Sequence, residues 1–115
     1  MSPTLEVSFH GMAPSAGVET AAAQWLSRLT RAFDRIEHCR VSIDPPHQHR
    51  RHGPAFKVSV MLHVPGHEIV ASREPGRIEG HGDVYLALAD AFTAARRRLR
   101  EITRIRRGEV KSHVA

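Results

Sequence analysis

The sequence predicts an α+β domain in the order β-α-β-β-β-α, with two helices packed on one face of a four-stranded sheet. Two observations lead to this fold class. Four short segments alternate apolar and polar residues with the period of a half-buried strand, and two longer segments repeat apolar residues at the three- and four-residue steps of an amphipathic helix. At 115 residues the chain is long enough for one hydrophobic core and too short for two domains.

The first half of the chain predicts a strand, a helix and a second strand. Residues 4–9 alternate as in a strand, and Ser15 suits the N-cap of a helix over 16–33. Alternation resumes at Cys39 and ends at Asp44, where two prolines follow. Because a strand-helix-strand unit favours a right-handed crossover, these two strands are predicted to be parallel.

The second half predicts a hairpin and a long helix. Residues 56–64 show the clearest alternation in the chain, a Pro-Gly turn follows, and residues 67–72 return as a fourth strand. Such tight connections favour an antiparallel meander. After a glycine-rich loop, Asp83 is placed to cap a helix that is predicted to end at Arg107.

The domain is predicted to span residues 1–107, with 108–115 as a short flexible C-terminal tail. No segment approaches the roughly 18 apolar residues of a membrane span, and the first residues lack the basic and apolar regions of a signal peptide. A single cysteine, Cys39, excludes an internal disulfide and suits a reducing compartment. These features predict a cytoplasmic protein with no membrane partner.

The last predicted helix carries an apolar stripe beside a row of arginines. The stripe is predicted to face the core and consists of Tyr85, Leu88, Phe92, Leu99 and Ile102. At about 100° per residue, five arginines share one flank of this helix: Arg96, Arg97, Arg100, Arg104 and Arg107. The first helix is also divided by charge, because three arginines are predicted to lie together on it: Arg28, Arg31 and Arg35.

The arginine flanks predict an anionic partner, because clustered cations repel one another. The formal net charge is +5, and 15 of the 17 basic residues are arginine, whose planar fork suits phosphate and stacks on bases. Nucleic acid is therefore favoured over a generic acidic protein. The structural alternative is a solvated face whose cations lie favourably near a helix C-terminus.

Metal and enzyme functions are not predicted. The histidine-rich loop contains His47, His49 and His52, but the neighbouring Arg50 and Arg51 would repel a cation. No nucleophile has a reachable base, and no glycine-rich loop links a strand to a helix with a phosphate-binding lysine. We therefore expect no catalysis, no cofactor and no small-molecule substrate.

Exposed aromatic platforms for bases are not predicted either. The four aromatic residues of the helices lie on the apolar stripes and are predicted to be core: Trp25, Phe33, Tyr85 and Phe92. Binding should then depend on phosphate contacts and shape rather than on unstacked bases. The open sheet face, with Lys57 and His63, is a secondary candidate for RNA contact.

Four segments, in their order and spacing, resemble the ribosome hibernation-promoting factors and the related ribosome-associated inhibitor proteins. They are the early VSFHGM, the helix end AFDRIEHCRVSI, the hairpin LHVPGHEIVASREP and the helix opening DVYLALADAFTAARRRL. The closing RRGEVKSH is similar to a proteobacterial branch of that family. The loop PPHQHRRHGP is longer than in the short members, and lysine is scarcer on the helices than is usual there.

The resemblance implies a fold similar to a double-stranded RNA-binding domain with an extra first strand. It also implies binding to the small ribosomal subunit, in the channel used by messenger and transfer RNA, which inhibits translation and preserves idle ribosomes. Family members contact ribosomal RNA through basic residues on and beside the two helices. By position these would be Arg28, Arg31, Arg35, Arg96, Arg97, Arg100 and Arg104.

Two other functions remain open on the sequence. One is a double-stranded RNA-binding module that acts on a non-ribosomal RNA. The other is a protein-interaction domain whose arginines meet an acidic partner.

Overall fold

The computed structural model describes residues 3–45, 56–73 and 84–114, with side chains over 3–45, 56–72 and 84–105. Six elements follow in the predicted order, which confirms the α+β fold. They are β1 (Thr4–Phe9), α1 (Ala16–Ala32), β2 (His38–Asp44), β3 (Lys57–Val64), β4 (His67–Arg73) and α2 (Val84–Val114).

The four strands form one sheet in the order β1-β2-β3-β4. As predicted, β1 runs parallel to β2, and the other neighbours are antiparallel. The turn between β3 and β4 places Gly66 at a φ of 80°, a left-handed conformation that a residue without a side chain adopts at little cost. The crossover from β1 to β2 needs a long connection, and α1 supplies it.

One face of the sheet forms the core together with the two helices. The inward positions of β2, β3 and β4 are buried: Cys39, Val41, Ile43, Val58, Val60, Leu62, Val64, Ile69 and Ala71. α2 packs on them through a stripe rich in small residues, namely Ala87, Leu88, Ala91, Phe92, Ala94, Ala95 and Leu99. Because alanine has only a methyl side chain, the helix backbone lies close to the sheet.

This alanine-rich stripe corrects the predicted orientation of α2. The sequence prediction counted Tyr85 as core, but its side chain is 48% exposed. The buried side of the helix instead turns toward the alanines, while Leu88, Phe92 and Leu99 are buried as predicted. The large apolar residues alone therefore predicted the wrong centre for the buried stripe. The error is about half of the roughly 100° rotation between successive residues of a helix.

α1 begins as predicted and ends one residue earlier. The Val18 backbone N–H donates a hydrogen bond to Oγ of Ser15 at 3.2 Å, which is the N-cap contact. At the other end, Phe33 is extended and its N–H donates to the Leu29 carbonyl. Arg35 therefore lies in the turn that follows, so its placement on the helix was wrong.

α2 is longer than the sequence prediction, because it ends at Val114 rather than at Arg107. Gly108 was interpreted as the start of a tail, but a glycine inside a helix costs only about 1 kcal/mol relative to alanine. No proline follows to block the helical hydrogen bonds. The division into a domain over 1–107 and a tail stays a prediction, and the proposed cap Asp83 lies outside the described residues.

Burial of Cys39 gives a test of the packed core. The residue is fully buried, and this burial raises the pKa of its thiol from 9.0 to about 12. We expect Ellman's reagent to modify the thiol slowly at pH 8 in the native protein and rapidly in guanidinium chloride, because the thiolate is the nucleophile. Equal rates in the two conditions would contradict the packing of β2.

The same pKa difference predicts a loss of stability in alkali. Between pH 9 and pH 12 the thiol of the unfolded chain ionises, while the folded protein keeps its proton. The unfolded state then binds fewer protons than the folded state, so the contribution of Cys39 to the free energy of unfolding falls as pH rises through this window. Urea unfolding at pH 8 and pH 10, compared between wild type and Cys39→Ala, measures the effect.

Candidate RNA-binding surface

The two helices lie side by side and run in the same direction. Near their N-termini, the Tyr85 hydroxyl group packs over Gly17, where an added methyl group would meet it. Midway, the rings of Trp25 and Phe92 are stacked. Further along, the C-terminal end of α1 and the Leu99 turn of α2 line a common cleft. Contacts thus advance together along both helices, which brings their arginine-rich C-terminal halves to the same end of the domain.

The predicted arginines of the helices lie on the outer side of this helix pair, away from the sheet. The side chains of six of them are exposed: Arg28, Arg31, Arg96, Arg97, Arg100 and Arg104. At about 100° per residue, Arg28 lies on the flank of α1 that faces α2, and Arg96 lies on the flank of α2 that faces α1. Arg100 lies next to Arg96. Arg98 is also exposed but falls about 100° beyond Arg97, within the arc that contains the buried Ala91 and Ala94.

Arg35 joins this group from the turn after α1. With Phe33 and Asp34, it lines the cleft whose other wall is formed by Leu99 and Ile102 of α2. The turn therefore brings Arg35 beside the basic half of α2 although it is not on the helix. We call Arg28, Arg31, Arg35, Arg96, Arg97, Arg100 and Arg104 the basic surface.

The arginines of the basic surface form no ion pair with a described carboxylate. The ion pairs between residues of the described ranges lie elsewhere: Arg40 with Glu6 at 2.8 Å, and His63 with Glu37 at 3.4 Å. No arginine of the basic surface has a described carboxylate within ion-pair distance. A row of cations without acidic partners repels itself and attracts a polyanion.

Lys57 and His63 lie on the opposite side of the domain, on the open face of the sheet. There each of the two groups lies near an acid, because Lys57 is opposite Asp44 in the strand register and Nε2 of His63 lies 3.4 Å from a carboxylate oxygen of Glu37. Ser59 and Ser72 form a neutral contact between neighbouring strands, with their Oγ atoms 2.8 Å apart. The structure therefore separates these two predicted contacts from the basic surface, and their role in RNA binding stays a prediction.

Three aromatic residues bear out the core prediction to different degrees. Phe92 is fully buried, whereas Trp25 and Phe33 are partly buried and packed against the core. Arg28 lies over the Trp25 ring, with its guanidinium carbon 5.1 Å from the ring centroid. This contact was not predicted from the sequence, although a separation of three residues on a helix places two side chains next to each other.

Other sequence predictions fall partly outside the described residues. Arg107 lies in α2, but its side chain is not described, and the histidine loop at 47–52 is not described either. Among the side chains that are described, no group of three or more histidine, cysteine or acidic residues is placed to hold a metal ion. In the same part of the chain, no helix has the length and apolarity needed to cross a membrane.

A protein-family model described as sigma 54 modulation protein / S30EA ribosomal protein matches residues 5–107. The chain belongs to this family. The resemblance to ribosome hibernation factors is thereby confirmed. The S30EA family is a family of ribosome-associated factors and not of enzymes.

Two solved structures share the fold of this chain. A ribosomal subunit interface protein from Coxiella burnetii is similar with a TM-score of 0.69 and 15% identity, over 87% of this chain and 97% of the other. The N-terminal domain of Protein Y from Thermus thermophilus is similar with a TM-score of 0.63 and 13% identity, over 89% and 99%. At these identities the likeness establishes the fold. No curated protein sequence matches the chain.

Proposed function

We propose that this S30EA family member binds the small ribosomal subunit in the channel used by messenger and transfer RNA, inhibits translation and preserves idle ribosomes in the cytoplasm. The observation that carries the proposal is the basic surface, seven arginines on one side of the domain that form no ion pair with a described carboxylate. Membership of a ribosome-associated family supports ribosomal RNA as the polyanion. The names of the similar structures, a subunit interface protein among them, agree with this partner.

The mechanism is steric occupation without turnover. Arginine forks on the outer side of α1 and α2 bind phosphates of folded RNA and set the orientation of the protein. The aromatic rings of the helices pack in the core or under Arg28, apart from Tyr85, so recognition depends on the shape and phosphates of the RNA. A bound domain then fills space that messenger and transfer RNA need, and no cofactor or substrate is required.

The open face of the sheet has a separate part in this proposal. A channel surrounds a bound protein on more than one side. Lys57 and His63 therefore remain secondary contacts for the channel wall that lies opposite the basic surface. Their ion-pair and register partners, Glu37 and Asp44, reduce the net charge that this side offers to RNA. We therefore assign most of the binding free energy to the helices.

Binding to separated ribosomal subunits tests the proposal. Purified protein should pellet with small subunits and not with large ones, and it should inhibit translation in a reconstituted reaction. Small subunits loaded beforehand with messenger RNA and initiator transfer RNA should bind it weakly, because the channel is occupied. Equal binding to loaded and empty subunits would exclude the channel. Tight binding only to free double-stranded RNA would favour a module that acts on a non-ribosomal RNA. Binding only to an acidic protein would favour a protein-interaction domain.

Affinity for the small subunit is expected to fall steeply with salt. If five to seven phosphates are neutralised, the logarithm of the association constant should fall against the logarithm of salt concentration with a slope of about −4 to −6. Fluorescence anisotropy of labelled protein measures this slope, with potassium chloride varied from about 50 to 300 mM. A slope near zero would show that the basic surface does not contact phosphate.

A further inference from the structure

We propose that Trp25 is a positioning residue that holds Arg28 in place for contact with an RNA phosphate. The inference rests on the proposed function, since it assigns Arg28 to the RNA interface. It gives Trp25 a role that differs from both sequence interpretations, a core residue and a platform for bases.

Three groups form a column from the core to the surface. Phe92 is fully buried, and the Trp25 ring stacks on it with centroids 5.8 Å apart and ring planes inclined by 8°. The Arg28 guanidinium carbon lies 5.1 Å from the Trp25 ring centroid. Because Phe92 is anchored in the packed core, the tryptophan ring is held, and its ring in turn supports the arginine.

The chemistry of this contact leaves Arg28 free to bind an anion. A guanidinium group over an indole face is attracted by the negative face of the ring, and tryptophan is the best aromatic partner for it. When a guanidinium stacks its flat face on a ring, its N–H donors point outward in the plane and suit the oxygens of a phosphate. Arg28 has no described carboxylate within ion-pair distance that would compete.

An arginine side chain that is already held in place loses less conformational entropy on binding than a freely moving one. Long charged side chains give up rotamer freedom when they are immobilised at an interface. A guanidinium already held over Trp25 has less freedom to lose. The expected contribution is about two- to fivefold in affinity, the range that corresponds to an exposed cation–π contact.

The two partners of the Trp25 ring oppose its simple use as a base platform. Phe92 is stacked on the ring, and Arg28 lies over it. A nucleobase could stack there only after displacing the arginine. The ring therefore acts through Arg28, which is the group that would touch RNA.

A double-mutant cycle on small-subunit binding tests the coupling, with Arg28→Ala, Trp25→Leu and the double variant. We expect Arg28→Ala to weaken binding about fivefold and Trp25→Leu about two- to fivefold. The double variant should bind like Arg28→Ala, because Trp25 has nothing left to position. Trp25→Phe should lie between wild type and Trp25→Leu, since phenylalanine keeps a ring with a weaker attraction for the cation. Losses that multiply in the double variant would overturn the proposal.

A second measurement does not depend on RNA. Nitrogen-15 relaxation of the Arg28 Nε–H group in the free protein should show a restrained side chain in wild type and a mobile one in Trp25→Leu, with Trp25→Phe between them. Equal mobility would overturn the positioning role even if both residues affect binding. If wild type does not bind small subunits but Arg28 is restrained by Trp25, the proposed function fails and the contact between the two side chains stands. If Trp25→Leu does not fold, the cycle is measured with Trp25→Phe.

Discussion

Replacement of Arg97, Arg100 and Arg104 together by glutamate is expected to weaken binding to the small subunit by more than about a hundredfold. Each reversal removes a cation from the basic surface and adds an anion that phosphate repels. A loss of about 1 kcal/mol or more per site adds up to roughly 3 kcal/mol, which is more than two decades in affinity. Co-sedimentation with small subunits at fixed salt measures the loss.

Fold stability of this triple variant should change little. All three side chains are exposed on the outer side of α2, and surface substitutions usually change the free energy of unfolding by about 0.5 kcal/mol or less each. A single reversal at Arg97 has a matched control in Arg98→Glu, because the next residue lies about 100° further round the helix and outside the basic surface. Loss of binding should be larger for Arg97→Glu. Retained binding by the triple variant at moderate salt would show that the surface is only solvated.

Truncation of Phe92 to alanine is expected to destabilise the domain by about 3 to 5 kcal/mol. The ring is fully buried, supports Trp25 and lies where α1, α2 and the sheet meet, so its removal leaves a cavity that these elements cannot easily fill. For a domain of this size the melting temperature should fall by about 10 to 25 °C. Urea unfolding followed by emission of the sole tryptophan measures the change in free energy.

Leu86→Ala is the matched control for Phe92→Ala. Leu86 is on the same helix and loses a large apolar side chain, but it is 51% exposed. Its removal should cost about 0.5 kcal/mol or less, since little apolar surface is exposed to water by the change. Similar melting temperatures for Phe92→Ala and wild type would show that α2 is rotated relative to the sheet.

Local patterns in the chain were sufficient to predict the elements of this fold. Strand β1 has the predicted bounds, and Ser15 caps α1 through the predicted hydrogen bond. These features depend on neighbours within a few residues, such as alternation of polarity or a side chain that reaches the N–H three positions on. The parallel pairing of the first two strands also followed, because the hand and length of a crossover are general constraints.

The predictions that were wrong concern positions that are set by the packing of segments far apart in the sequence. Tyr85 was assigned to the core because it shares helical spacing with Leu88 and Phe92, but the close approach of α2 to the sheet is made by alanines and leaves Tyr85 at the side. Arg35 was placed on α1, although the chain turns at Phe33. Spacing identifies a face of a helix, and the packing partner determines which part of that face is buried.

The sequence by itself determined the element order, the flank of arginines on α2 and the similarity to ribosome hibernation factors, because each is a matter of spacing along one segment or of matched segments in order. Only the tertiary structure decided that α1 and α2 run side by side with their arginines at the same end, that Asp44 and Glu37 lie near Lys57 and His63 on the sheet face, and that Trp25 contacts both Phe92 and Arg28. Those arrangements join residues far apart in the chain, and their geometry is set by how the helices pack on the sheet.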